Sequence, residues 1–191
     1  MRKAIFIVSL MTMISAGCGT VKPPLENLSS GKPDANNTAM TLFSEPSTWL
    51  LGYIQPFQFR ALPHADWYLK GFDSYNPGQD VIEKLKAVNQ DDLSIKIVLG
   101  TWCPDSRREV PRFMKVLEQW GFPEEKVIFI GVDNSKNAPV GGYEELGIER
   151  VPTFIVMKNK VETGRIIENP VTSLEQDMLN ILTRNENNNK Y

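Results

Sequence analysis

The chain has 191 residues, 41% of them apolar and 23% charged, and a formal net charge of −2. This length suits one ordinary domain with extra segments at its ends, and the composition argues against global disorder. The slightly acidic balance gives no support to nucleic-acid binding, which usually needs a concentrated basic surface. Two cysteines and one histidine exclude a disulfide framework and a zinc site of Cys and His. We therefore expect no metal and no cofactor, and any thiol chemistry falls to Cys18 or Cys103.

The first 17 residues have the pattern of a signal peptide. Met1-Arg2-Lys3 is positively charged, and the apolar run from Ala4 to Ile14 is shorter than the about 20 residues that span a bilayer. Ser15-Ala16-Gly17-Cys18 then resembles the bacterial lipoprotein signal, although Ser15 stands where that signal usually has an aliphatic residue. The resemblance implies cleavage before Cys18, lipidation of its sulfur and a membrane anchor.

An ordinary secretory signal with an incidental cysteine is the alternative interpretation of this segment. Under either interpretation the mature domain is exported. We expect an anchored lipoprotein of the cell envelope that faces the periplasm.

Composition divides the remaining chain into four segments. Residues 18–39 are rich in Pro, Gly, Ser and Asn, which predicts a flexible linker. Residues 40–76 form an aromatic-rich extension, for which we predict short helices or turns that pack their rings onto the domain; a protein-contact surface is the alternative. Its single histidine, His64, has no second ligand and is interpreted as structural. Residues 77–184 form the folded domain, and residues 185–191 are predicted to be a disordered tail.

Apolar spacing within residues 77–184 predicts alternating helices and strands. Helical stripes lie at 77–88, at 107–120 and after Thr172, a short helix is predicted at 143–146, and strands are predicted at 95–99, 127–132, 153–157 and 161–167. Thr172 and Glu175 have the spacing of a capping box. The order predicts an α/β fold in which a mixed sheet, with one parallel and one antiparallel pair, has helices on both faces.

The second cysteine follows a predicted strand and directly precedes a helix, in the stretch Gly100-Thr101-Trp102-Cys103-Pro104-Asp105-Ser106. A thiol at a helix N-terminus meets unpaired backbone N–H groups and the positive end of the helix dipole, both of which favour the thiolate. Arg107 and Arg108 can add positive charge, whereas Asp105 acts the other way if it faces the sulfur.

This stretch resembles the thioredoxin-like superfamily. The matching residues are Trp102-Cys103 at the junction, Ser106 in the second-cysteine position, Pro111 where the family's helix is kinked, and Val151-Pro152-Thr153 at the start of the last strand pair. The resemblance covers residues 77–184, and Gly100 to Arg112 is similar to exported, lipid-anchored members from Bacteroidetes-type bacteria. It implies a thioredoxin-like three-layer sandwich, with a mixed central sheet flanked by helices.

The resemblance also implies the roles of individual residues. Cys103 is the nucleophile, Ser106 hydrogen-bonds its thiolate, and Pro152, in the cis form, lies beside the thiol. The substrate groove is assigned to Trp102, Pro104, Asp105, Arg150 and Val151, with the Val151 backbone pairing with an extended substrate. Ser106 cannot resolve a mixed disulfide as a second thiol does. The family's buried Asp falls at Ile97, which removes the usual proton acceptor.

Three functions remain open at this point. The first is monothiol thiol–disulfide exchange with exported client proteins or small thiols, whose mixed disulfides need an external thiol for release. The second is a non-catalytic binding or scaffold module of the cell envelope. A peroxidase is a third, because a reactive cysteine can form a sulfenic acid. Against it, Thr101 precedes Cys103 by two residues, not by the three of the peroxiredoxin pattern.

Overall fold

A mixed β-sheet organises the part of the chain that the computed structural model describes, residues 42–188, with side chains described through Arg184. The strands are β1 (Gly52–Ile54), β2 (Leu93–Leu99), β3 (Val127–Gly131), β4 (Thr153–Lys158) and β5 (Val161–Ile167). They lie in the order β1-β3-β2-β4-β5. Strands β2 and β3 are parallel, and all other neighbours are antiparallel. The predicted parallel pair and antiparallel hairpin are both confirmed.

Five α-helices connect these strands within the described range. They are α1 (Pro56–Phe59), α2 (Ala65–Ser74), α3 (Gln79–Lys86), α4 (Pro104–Trp120) and α5 (Leu174–Asn188), with 3-10 helices at Pro46–Thr48, Glu124–Lys126 and Tyr143–Leu146. Helix α5 takes in the first four residues of the predicted tail, since no Gly or Pro interrupts the sequence there. None of the described helices is long and apolar enough to cross a membrane.

The sheet separates two apolar cores. Helices α3, α4 and α5 bury their apolar faces against one side, around large side chains such as Phe113, Phe129 and Phe154. The segment between β3 and β4 covers the other side through Val140 and Tyr143. The layer on this second side is therefore mostly irregular chain with one 3-10 helix. The sequence predicted helices on both faces of the sheet. With its mixed sheet between these two layers, the domain has the predicted thioredoxin-like α/β fold.

The aromatic extension contributes a strand that the sequence did not predict. Strand β1 has only three residues and begins at Gly52, whose φ of +75° is left-handed, so it lacks an alternating pattern long enough to recognise. Several rings of the extension enter the core as expected, among them Phe43, Phe59 and Tyr68. The extension therefore completes the sheet as well as packing against it.

The predicted capping box at Thr172 is wrong. The Ser173 hydroxyl accepts the Gln176 N–H at 3.2 Å and caps helix α5 instead. The Glu175 carboxylate accepts hydrogen bonds from the Tyr75 hydroxyl at 2.8 Å and the Gly78 N–H at 3.0 Å. A tertiary contact with the end of α2 and the start of α3 thus takes the carboxylate that the local pattern assigned to the cap.

Segments predicted at the N-terminus lie outside the described residues. These are the signal peptide of residues 1–17, the lipidation site Cys18 and the linker of residues 18–39. Their predictions stay predictions.

The close approach between β3 and the segment before β1 predicts a strong effect of one small substitution. A Cβ at Gly131 would lie 2.0 Å from the Leu50 carbonyl oxygen, so the backbone must move. We expect Gly131→Ala to lower the free energy of unfolding by about 1–3 kcal/mol, the usual cost of overpacking. Urea unfolding followed by tryptophan fluorescence measures it.

Gly141→Ala is the matched control, because nothing lies within 4 Å of a Cβ at that position. Equal stability of the two variants would contradict the expected clash.

Candidate active site around Cys103

Cys103 is the N-cap residue of the long helix α4. Its backbone is extended, with φ −78° and ψ 124°, and its N–H donates to the Gly100 carbonyl at 2.9 Å. The side chain is only 7% exposed and is not in a disulfide. The predicted junction of strand, turn and helix is therefore present, and α4 begins at Pro104, three residues earlier than its apolar stripe indicated.

The Cys103 thiol contacts the loop that precedes β4. Its Sγ donates a hydrogen bond to the Val151 carbonyl at 3.4 Å. The Val151–Pro152 peptide is cis, as the resemblance implied. Two hydrogen bonds hold this loop: the Thr153 hydroxyl donates to the Arg150 carbonyl at 2.6 Å, and the Glu168 N–H donates to the Pro152 carbonyl at 2.7 Å. The structure thus brings together the predicted nucleophile and the predicted proline loop, which are far apart in the sequence.

Ser106 is completely buried below the same junction. Its Oγ accepts the Gly100 N–H at 3.3 Å. No hydrogen bond among the described residues links Ser106 to Cys103, so the predicted contact with the sulfur is not formed here. The serine ties the first turn of α4 to the end of β2.

Trp102 is held by packing on both sides of its ring. Its Nε1 donates to the Val132 carbonyl at 2.9 Å, and its ring centroid lies 6.1 Å from that of Trp49 in the extension. A Cβ at Gly100 would lie 2.5 Å from the indole, so only glycine leaves room for it. These contacts fix the loop that carries Cys103; a role of Trp102 in a substrate groove stays a prediction.

The charged residues predicted for the groove are paired. The Asp105 carboxylate forms an ion pair with Arg108 at 2.7 Å, and Arg108 also contacts Glu109 at 2.6 Å. Arg150 forms an exposed ion pair with Glu168 at 2.9 Å. Asp105 is therefore neutralised by a neighbour on its own helix, so its charge has less influence on the sulfur.

Arg107 differs from the other arginines of α4, because it contacts backbone carbonyls. Its Nη1 donates to Thr101 at 3.0 Å and to Trp102 at 2.9 Å. No ion pair joins it to a carboxylate within the described range, whereas Arg108 and Arg112 both contact Glu109. Burial lowers the pKa of Arg107, and the negative charge of Cys103 raises it. Of the two cations suggested by the sequence, Arg107 is the one that contacts the backbone of the cysteine loop.

The structure also shows where Ile97 and Pro104 lie, and whether metal-binding side chains cluster. Ile97 is completely buried among apolar side chains. Pro104 is exposed in the first turn of α4. No cluster of three or more metal-binding side chains occurs in residues 42–184, whose side chains are described.

The extension supplies site contacts that the sequence did not reveal. The Leu50 N–H donates to the buried Thr101 hydroxyl at 3.1 Å. Trp49 packs against Trp102, as described above. Aromatic composition identified the segment, but nothing in the order of residues shows which rings face the cysteine loop.

Three comparisons place the chain among known proteins. No protein-family model and no curated protein matches it. Among solved structures, a Pseudomonas aeruginosa protein of unknown function is similar at 15% identity, covering 73% of this chain and 94% of that one, with a TM-score of 0.48. Thioredoxin O2 from Arabidopsis thaliana is 20% identical over 55% of this chain and 85% of that one, with a TM-score of 0.36. The thioredoxin of Trypanosoma brucei brucei is 22% identical over 59% and 94%, with a TM-score of 0.34.

At these identities and TM-scores the neighbours are reported as similar structures alone. The fold itself follows from this chain's own strand order and from the proline loop before β4.

His64 predicts a measurable pH dependence of stability. It is 4% exposed, lies between the rings of Phe43 and Trp67, and its Nδ1 has no partner among the described residues. Burial, and secondarily Arg107, lowers its pKa from the ordinary 6.5. Below pH 6.5 the unfolded chain therefore binds the proton more readily than the folded chain, and stability falls as pH falls.

We expect this loss to reach at most about 1.4 kcal/mol per pH unit, and to disappear in His64→Phe, which keeps the ring. Urea unfolding of both proteins between pH 7.5 and 5 measures it. Glu175, whose pKa is also lowered, loses its contribution only below its ordinary 4.5, outside this window. Parallel pH profiles of the two proteins would contradict the expectation.

Proposed function

We propose that this protein is a monothiol thiol–disulfide exchange protein, with Cys103 as its nucleophile. The observation that carries the proposal is the position of the Cys103 sulfur, at the N-terminus of α4 and 3.4 Å from the carbonyl before Pro152. Arg107 adds a positive charge without a carboxylate partner in the described range. Ser106, which has no sulfur, occupies the position of a resolving cysteine.

The proposed exchange proceeds in two balanced steps. The Cys103 thiolate, having lost its proton to solvent, attacks one sulfur of a client disulfide; a new S–S bond forms, and the other client sulfur leaves as a thiolate. An external thiolate then attacks the client sulfur of the mixed disulfide; the bond to Cys103 breaks, Cys103 leaves as a thiolate, and the client sulfur becomes bonded to the external sulfur. Over both steps Cys103 returns to its starting state, one client sulfur is reduced to a thiolate, and the external thiol is oxidised in its new S–S bond.

The loop beside the sulfur suits an extended protein client. The Val151 carbonyl contacts the sulfur, and Pro152 has no N–H that could compete with a client strand. Ion pairs at Asp105 and Arg150 flank the approach with balanced charge. We propose that Trp102, Pro104, Asp105, Arg150 and Val151 contact the client, whether an exported protein or a small thiol.

A binding or scaffold module is the second candidate, and the exposed rings of the extension favour it. Tyr53 is 64% exposed and Phe57 is 70% exposed, although the same segment buries several other aromatic side chains. Capture from envelope extracts separates the two functions. Partners bound as mixed disulfides, and lost on Cys103→Ala, support exchange; partners retained by Cys103→Ala support binding.

Alkylation kinetics test whether Cys103 is an activated nucleophile. We expect monobromobimane to react with the full chain well below pH 8, because the helix terminus and Arg107 favour the thiolate. The matched variant Cys103→Ala reports the background from Cys18. An alkylation rate that rises only above pH 8, like that of an ordinary thiol of pKa about 8.5, would contradict the proposal.

The resolving position offers a sharper test of the monothiol step. After reaction with the aromatic disulfide DTNB, we expect the wild-type chain to retain thionitrobenzoate on Cys103 until a thiol is added. Ser106→Cys supplies an internal thiol three residues away, so it should release the dye unaided. Ser106→Ala is the control and should retain it. Spontaneous release from the wild type would mean that another group resolves the adduct.

We further propose that Cys18 carries the lipid anchor of an envelope protein. The sequence pattern at residues 1–18 supports this proposal. In a bacterial host, the full chain should partition into the detergent phase and Cys18→Ser into the aqueous phase. Equal partitioning of both would favour an unlipidated secretory signal.

A further inference from the structure

We infer that Phe43, in the N-terminal extension, is a positioning residue for the Cys103 thiolate and acts by holding the Arg107 guanidinium beside it. The inference rests on the proposed nucleophilic role of Cys103. It assigns the extension a part in the chemistry beyond packing.

Arg107 brings a positive charge to the cysteine loop without a carboxylate to neutralise it in the described part of the chain. An arginine stays protonated, so a half-buried one needs an anion, polar acceptors or an aromatic face near its charge. Two carbonyl oxygens, of Thr101 and Trp102, accept its hydrogen bonds. The anion that these contacts leave available is the Cys103 thiolate: burial lowers the pKa of Arg107, and the Cys103 charge opposes that shift.

The Phe43 ring closes the other side of the guanidinium. Arg107 Cζ lies 4.6 Å from the ring centroid, within the distance of a cation–π interaction. Phe43 is itself fixed, because it is 4% exposed and its carbonyl accepts the Trp49 Nε1–H at 2.9 Å. The ring therefore restrains a side chain that otherwise has many rotamers.

Among the described titratable groups near this contact, Arg107 is the one that supplies an unpaired positive charge. His64 packs against Phe43 with ring centroids 5.6 Å apart, and burial and Arg107 lower its pKa, so it is neutral at pH 7. On α4, Asp105 and Arg108 form an ion pair with each other. Without the Phe43 ring, the guanidinium can move into solvent, where water screens its charge from the sulfur.

The extension reaches the cysteine loop at two further points. The Leu50 N–H donates to the Thr101 hydroxyl, and the Trp49 ring packs on Trp102. These contacts hold the backbone that carries the two carbonyls bound by Arg107. Phe43 is thus one member of a short segment whose contacts converge on the residues next to Cys103.

Bimane alkylation of the full chain across pH tests the inference. We expect Phe43→Leu to move the midpoint of the Cys103 pH–rate profile to higher pH and to slow the reaction at pH 7 by about two- to thirtyfold, the range that a cation–π contact covers from exposed to desolvated sites. The rate at high pH should stay unchanged, because a fully formed thiolate no longer depends on Arg107. A merely structural role would leave the midpoint in place.

Three further variants make the test specific. Phe57→Leu is the matched control, because Phe57 is an exposed phenylalanine of the same extension. Phe43→Tyr keeps the aromatic face and should keep the wild-type profile. Arg107→Gln should shift the midpoint at least as far as Phe43→Leu, and adding Phe43→Leu to it should have no further effect.

The outcomes separate this inference from the proposed function. A wild-type profile like that of an ordinary thiol means that the proposed function fails. A reactive wild type whose profile Phe43→Leu leaves in place overturns only the role of Phe43. Additive effects of the Phe43 and Arg107 substitutions would overturn it too, since Phe43 would then act by another route. If Phe43→Leu does not fold, an altered profile in Phe43→Tyr, with its ring retained, contradicts the inference equally.

Discussion

The hydrogen-bonded junction between β2 and α4 is the constraint on which the candidate site depends. Gly100 bonds at one end to the Ser106 hydroxyl through its N–H and at the other to the Cys103 N–H through its carbonyl. The Trp102 indole occupies the space that a side chain on Gly100 would need. Because the turn is fixed in this way, the sulfur meets the helix terminus on one side and the Val151 carbonyl on the other.

The aromatic extension both packs into the domain and contacts the loop that carries Cys103. Its buried rings contribute to the core, and strand β1 adds a strand at the edge of the sheet. Gly131 lets the Leu50 backbone approach β3 closely. The same segment contacts Thr101, Trp102 and Arg107. Stability and chemistry are thus linked through a segment outside the thioredoxin-like region that the motifs delimit.

Residue spacing predicted the elements that have long, regular apolar patterns. Strand β3 and helix α4 bury such patterns over several turns or residues, so the local signal and the tertiary packing agree. Strand β1 was not predicted because a strand of three residues is too short to show an alternating apolar pattern. The cap of α5 was misassigned because Glu175 binds Tyr75 and Gly78 across the fold. In each case a distant partner, absent from the local sequence, decided the outcome.

The sequence by itself determined which chemical groups the domain contains: one thiol at a helix start, a serine three residues later at Ser106, and an apolar side chain at Ile97. These are properties of residue type and order, which folding does not change. The tertiary structure alone decided that Arg108 is neutralised while Arg107 stays available, and that Phe43 lies on its guanidinium. Electrostatic influence depends on distance and burial in three dimensions, and neighbours in sequence such as Arg107 and Arg108 can therefore have unlike partners.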